Sequence, residues 1–208
     1  MDVTRATTSV KGGVIATATP YPWPYHATFE PAHAALVTCL DPTWRLDGKD
    51  SDVVDENLVA LSHICHQVGV LVISVTSTPV RGGVTLDERR TPAAEKMKRQ
   101  LRVDVELESG ATDAFYASRL EAVLRHATRT DLLVAGWGLE GPVHSTLRAA
   151  NDRGYECLLV ADASSSLDAS LVKNACSMVE FSGGIFGAVA TTPEVLELLT
   201  TTNEPASS

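Results

Sequence analysis

The sequence predicts one α/β domain, a parallel sheet of six strands joined by crossover helices. Short apolar runs alternate with helix-patterned stretches along the chain, the order that produces parallel strands joined by crossover helices. Each run is apolar on successive residues, as strands covered on both faces must be. The chain has 208 residues, 44% of them hydrophobic, the size of one globular domain with a sizeable core.

From Met1 to about Pro31, Thr, Pro and aromatic residues follow neither a helical nor a strand period, so this segment reads as an arm lying over the domain surface. Tyr21-Pro22-Trp23-Pro24-Tyr25 is its anchor. The arm is set at 1–33, the folded domain at 34–199 and a small, polar, frayed tail at 200–208. Strands are predicted at Ala35–Leu40, Val70–Val75, Val103–Leu107, Asp131–Gly136, Glu156–Ala161 and Ala188–Ala190. Helix starts are read at Thr91 before Pro92, at Ser118 with Glu121 as a capping box, and at Thr192 before Pro193. A helix is expected over Asn57–Val68, and the polar stretches Leu46–Val53 and Ser77–Pro92 read as loops at the sheet edge. No internal repeat is present.

Composition excludes several function classes. Against 17 basic side chains stand 26 acidic ones, a formal charge of −9 with no Lys/Arg block, so a nucleic-acid backbone would be repelled. The longest apolar runs, such as Leu132-Leu133-Val134-Ala135, are strand-sized, far short of the roughly 20 residues that span a bilayer. Met1–Pro20 has no apolar core of a signal peptide, and a cytoplasmic location is expected. Cys39, Cys65, Cys157 and Cys176 are widely spaced and read as reduced, buried thiols. His63 and His66 flank Cys65 on a predicted helix, but without a carboxylate partner they read as a packed or solvated face. No metal and no cofactor are expected.

Gly136-Trp137-Gly138-Leu139-Glu140-Gly141 is a G-x-G-x-x-G run after a strand, with Asp162 about 20 residues further on, as in a dinucleotide-binding turn. Its late position in the chain and Pro142, which removes an N–H from the helix end, weigh against that reading. The competing reading is an elbow, a sharp strand-to-helix turn whose first helical residue is presented at the carboxyl edge of the sheet. That residue is Pro142.

The aromatic lead at 21–25, Phe115-Tyr116-Ala117-Ser118, the run Ala150-Asn151-Asp152-Arg153-Gly154-Tyr155-Glu156-Cys157-Leu158-Leu159 and Gly183-Gly184-Ile185-Phe186-Gly187-Ala188-Val189 carry a resemblance over nearly the whole chain. They resemble the isochorismatase-like (cysteine hydrolase) superfamily, closest to its ureidoacrylate and biuret amidohydrolase branch. The resemblance implies a three-layer α/β/α sandwich and commonly a homo-oligomer. It also implies a cysteine nucleophile at the elbow, an aspartate ending the first strand as proton acceptor, and a lysine after the third strand. Aligned on these strings, the cysteine position is Pro142, the aspartate position Cys39 and the lysine position Ser109, beside Glu108. Proline offers neither a nucleophilic atom nor the elbow N–H that contributes to an oxyanion hole. A thiol at 39 could act as a base only with a cation beside it, which Ser109 does not supply. The stretch Ser77–Val105 is shorter than the branch's lid, and Ser74-Val75 replaces its His-Thr pair.

Other residues could substitute. His144 stands on the first helical turn, Asp41 just beyond the first strand, and Glu140 in the elbow itself. Trp44, Trp137, Gly138 and Phe115 are the expected pocket-lining residues. The reading that follows is a family member without the Asp-Lys-Cys triad, acting as a non-catalytic subunit with itself or an intact paralogue, or binding a small molecule in the old pocket. The alternatives are a repurposed hydrolase or lyase using non-covalent acid/base chemistry on a small polar metabolite, and a nucleotide-binding module.

Overall fold

A computed structural model describes residues 13–26, 28–45, 49–77 and 91–202. Most of the predicted loop Ser77–Pro92, Leu46–Gly48 of the predicted loop Leu46–Val53, the first 12 residues of the arm and the end of the tail lie outside these, while Lys49–Val53, read as loop, form the start of the helix expected only from Asn57.

Six strands form one sheet: β1 (Ala34–Cys39), β2 (Leu71–Ser77), β3 (Val105–Ser109), β4 (Asp131–Trp137), β5 (Glu156–Ser165) and β6 (Ala188–Ala190). Every pairing is parallel and the order is β3-β2-β1-β4-β5-β6. The chain thus starts in the middle, winds outward through β2 and β3, then returns to lay β4 on the other side of β1. This reversal opens a crevice beyond the carboxyl ends of β1 and β4.

Six helices cover the sheet: α1 (Lys49–Val68), α2 (Thr91–Gln100), α3 (Leu120–His126), α4 (His144–Asp152), α5 (Ala169–Glu180) and α6 (Thr192–Thr202). Side chains alternate across a strand, so each strand feeds two cores. Leu36 of β1 and Leu133, Ala135 and Trp137 of β4 join Leu58, Leu61, Met97 and Leu198 of α1, α2 and α6. Ala35, Val37 and Cys39, with Leu132 and Val134, join Leu120, Leu147 and Val179 of α3, α4 and α5. Cys39 therefore points to the α4 side and Trp137 to the α1 side.

Several boundaries differ from expectation. β3 begins two residues later than predicted and alternates between half-buried and exposed positions, because it is an edge strand and only its inner side meets the core. β5 runs on to Ser165, past a register shift against β4 after Val134. At α6 the cap is Thr191, whose N–H and hydroxyl donate to Glu194 at 2.7 Å, while Thr192 donates to Asp162. The box at Ser118 is half built: its hydroxyl accepts from the Leu120 N–H, but Glu121 pairs with Arg125 and Arg153 instead of returning to the cap.

The arm is not a surface strap. Trp23 is fully buried, 5.7 Å from the Phe29 ring, and Ile15 and Ala18 enter the same core. Thr19 pairs with Val189 beside β6, the Tyr21 hydroxyl donates to Glu156 at 2.8 Å, and His26 lies 3.3 Å from Asp131. Glu156 and Asp131 begin β5 and β4, so the arm closes the end of the sheet opposite the crevice. Among the described residues no helix is long and apolar enough to cross a membrane.

Candidate functional site at the carboxyl edge of the sheet

The crevice is built by the turn leaving β4. Gly136 has φ +135°, and a Cβ there would stand 2.1 Å from the Cys39 carbonyl oxygen, so only glycine lets β1 and β4 close up at their ends. The chain then makes a wide π-type turn, Leu139–Val143, with Pro142 inside it. The cause is local: the Gly138 carbonyl accepts from Gly141 and Val143 at 3.0 and 3.1 Å, the residues on either side of the one that has no N–H.

Of the three positions matched to a hydrolytic triad, two meet. The Cys39 sulfur lies 3.9 Å from the Pro142 carbonyl oxygen and 3.5 Å from the Thr146 hydroxyl oxygen, which also accepts from the Ala114 N–H at 3.0 Å. Burial pushes the Cys39 thiol up to about 12; the Thr146 hydroxyl opposes this, and the carboxylates of Asp113 and Asp41 add to it. Burial thus favours the protonated thiol over the thiolate at this position. Ser109 ends β3, two strands away, where its buried hydroxyl donates to the Ala111 carbonyl at 2.8 Å and lies 3.4 Å from the Ser77 hydroxyl. Glu108 beside it is exposed, as strand alternation requires.

The residues beside Cys39 are apolar and buried. Cys39, Val75, Ala114, Phe115, Leu139 and Val143 belong to one buried apolar cluster. Asp113 and Thr146, which the sequence reading passed over, anchor the backbone of Ala114 and Phe115 beside Cys39. Asp113 accepts from the Phe115 N–H at 2.8 Å, and burial raises its carboxyl pKa against the pull of that bond and of Arg153. An Asx-turn signal before Phe115 was the only trace of it in the sequence.

The proposed substitutes do not converge. Asp41 is fully buried and lies near Cys39, but one carboxylate oxygen caps its own turn, accepting from the Thr43 N–H and hydroxyl at 2.9 and 2.7 Å. His144 stands two residues before Thr146, on the opposite flank of the helix. It faces α5, with its Nδ1 accepting from Arg148 at 3.1 Å. Burial and then the Arg148 charge hold its pKa below the ordinary histidine value, so the ring is neutral at pH 7. Glu140 accepts from the Leu167 N–H at 2.8 Å, also on the α5 side. Asp41 and Cys39 thus lie on one side of the elbow, Glu140 and His144 on the other.

The expected lining residues have structural work. Trp137 is a core residue, fully buried, with its indole N–H donated to Asp55 at 2.8 Å. Phe115 stacks 6.0 Å from the Tyr155 ring, under the Arg153 guanidinium. Trp44 covers the glycine run: a Cβ on Gly138 would fall 2.7 Å from the Trp44 ring, and one on Gly141 2.6 Å from it. The space in which a dinucleotide turn would receive pyrophosphate holds an indole, and Asp162 caps α6. His66 pairs with Asp104 at 2.9 Å, and His63 lies 3.2 Å from the Gln100 carbonyl. Among the described residues no three His, Cys, Asp or Glu side chains gather to hold a metal.

The same architecture occurs in proteins of known structure. An isochorismatase-family protein from Burkholderia thailandensis matches with a TM-score of 0.67 at 22% identity, over 83% of this chain and 98% of that one. A cysteine hydrolase from Pseudomonas syringae pv. phaseolicola 1448A matches with a TM-score of 0.66 at 18% identity, over 84% and 95%. Nicotinamidase from Bacillus subtilis matches with a TM-score of 0.56 at 21% identity, over 73% and 97%. The isochorismatase domain model itself matches residues 35–194, from the second residue of β1 into the first turn of α6. The chain belongs to the isochorismatase family.

Proposed function

We propose that this protein is a non-catalytic member of the isochorismatase family, a subunit that pairs with its own kind or with an intact relative. The observation that carries this reading is the contact between Cys39 and Pro142. A protonated thiol faces a proline carbonyl where a hydrolase of this family would place a carboxylate opposite a nucleophilic cysteine. Ser109 adds no positive charge, and Cys39 is buried within an apolar cluster. Losing one oxyanion donor typically costs about a hundredfold in rate, and here the nucleophile goes with it. The strings at 150–159 and 183–189 support a place near the ureidoacrylate and biuret branch. The unpaired thiols fit a reducing, cytoplasmic setting.

The test is direct. Purified protein is incubated with ureido, carbamoyl and isochorismate-type substrates and with nicotinamide, the last because a nicotinamidase shares the fold. The expected result is no turnover above buffer. Robust turnover abolished by a single substitution at Cys39, Asp41 or Asp113 would overturn the reading. Tight binding of one of these compounds without turnover would replace the subunit by a small-molecule-binding homologue.

A further inference from the structure

On the side of the elbow away from Cys39, α4 and α5 leave a cleft of about 380 Å³, lined by Glu140, His144, Arg148, Leu171, Ala175 and Met178 among others. Its volume is in the range of small-molecule sites. Two of the lining groups carry hydrogen-bonding capacity that nothing among the described residues meets. His144 is 7% exposed, and its Nδ1 accepts from the Arg148 Nε–H, so the neutral ring holds its proton on Nε2. This donor has no partner. One Glu140 carboxylate oxygen accepts from the Leu167 N–H, and the other, buried, has none. Both atoms are closed to bulk water, and buried polar atoms without partners are rare enough to need an explanation. Arg148 makes no ion pair among the described residues; its guanidinium lies 4.5 Å over the Phe186 ring.

We infer that this cleft binds a small ω-amino carboxylate, an extended zwitterion with an apolar chain between its two charged ends. The two walls differ in kind. Glu140, His144 and Arg148 stand four residues apart along one helical flank, so the acid and the base lie roughly 10–12 Å apart along the axis. Opposite them, Leu171, Ala175 and Met178 follow one another on α5. A carboxylate fits the Arg148 end, where the guanidinium and the His144 Nε2–H both donate. An ammonium fits the other end and gives the second Glu140 oxygen the donor it lacks. The chain between them lies along the α5 wall. Leu171 and Met178, 38% and 50% exposed, are the side chains that can swing aside to admit it. Other ligand chemistries match less well: an anion alone would leave the Glu140 carboxylate facing like charge, and an apolar molecule would leave both orphaned atoms unmet. The inference does not depend on the loss of catalysis, because no group on the Cys39 side of the elbow takes part.

Titration calorimetry with 6-aminohexanoate and 8-aminooctanoate tests it, with hexanoate and hexylamine as ligands that each keep one end only. At least one of the two amino acids is expected to bind with a Kd below about 1 mM, and the single-ended compounds about tenfold or more weaker. Arg148→Gln should weaken the amino acid about tenfold or more, and Glu140→Gln should weaken it while leaving hexanoate unchanged. Met178→Trp, at a half-exposed position and expected to fold normally by circular dichroism, should fill the cleft and abolish binding. The His144 ring Nε2–H resonance should shift on binding in the wild type and stay still in Met178→Trp. Failure of both amino acids to bind at about 10 mM overturns the inference and leaves the two orphaned atoms to bound water. Binding indifferent to Met178→Trp and Glu140→Gln overturns it as well. Neither result bears on the activity assay above, so the two readings fail separately.

Discussion

The sulfur of Cys39 and the carbonyl oxygen of Pro142 face each other at 3.9 Å across the ends of β1 and β4. The parallel register that pairs Cys39 with Gly136, and the wide turn that proline imposes six residues later, bring them together. Both groups are buried and neither carries charge.

Native thiol reactivity follows from this burial. Cys39, Cys65 and Cys157 are buried, burial raises the pKa of each, and Cys176 is only partly covered. A disulfide reagent at pH 8 is expected to modify at most Cys176 in the folded protein and all four thiols in denaturant. Rapid native modification of Cys39, mapped by peptide mass, would contradict the packing described.

Restoring a cysteine at the elbow should not restore hydrolysis. Pro142→Cys supplies a sulfur and an N–H, but the residue facing it remains a neutral thiol, with Asp113 and Asp41 nearby and no cation among the groups that shift it. No turnover of carbamoyl or ureido substrates is expected from the single variant. Activity in that variant would mean that Asp41 or Asp113 reaches the new thiol as a base.

The role of the glycine run is separable by a double-mutant cycle. Gly141→Ala places a methyl 2.6 Å from the Trp44 ring and is expected to destabilise by about 1–3 kcal/mol in urea unfolding. Combined with Trp44→Ala, most of that extra cost should vanish, a coupling of about 1 kcal/mol or more. Strict additivity would mean that Trp44 is not what Gly141 accommodates.

Stability should depend on pH through His144. Its folded pKa lies below 6.5, so the unfolded chain takes up the proton first as pH falls. The stabilisation is complete above 6.5 and is lost as pH falls from there through the folded pKa, with a slope of at most about 1.4 kcal/mol per pH unit. Urea titrations of wild type and His144→Gln at pH 7.5, 6.5 and 5.5 should diverge only at the acid end, with the wild type falling faster. Parallel curves would show that burial does not shift this ring.

Much of the fold was legible because it is written in local patterns. The strand segments are continuous apolar runs, and the Thr-Pro pairs and the glycine after β4 punctuate them. Edge and cap positions were less legible: β3 looked like its neighbours, and only the sheet order shows that one side of it faces water. Trp23 looked like a surface anchor because proline-rich aromatic segments lack periodicity, and only packing against Phe29 reveals it as core.

By itself the sequence determined that the chain has a parallel α/β fold and that the turn after β4 carries Pro142. These depend on residue identity and on order along the chain. Tertiary structure alone decided that Cys39 meets Pro142 and Thr146 while Ser109 stays two strands away. It also turned Trp137 into the core, closed Trp44 over the glycines, and parted His144 and Glu140 from Asp41 by the thickness of the elbow. The reason is geometric: strand alternation and helix rotation decide which face a side chain takes, and residues a hundred positions apart acquire neighbours only when the sheet order is fixed.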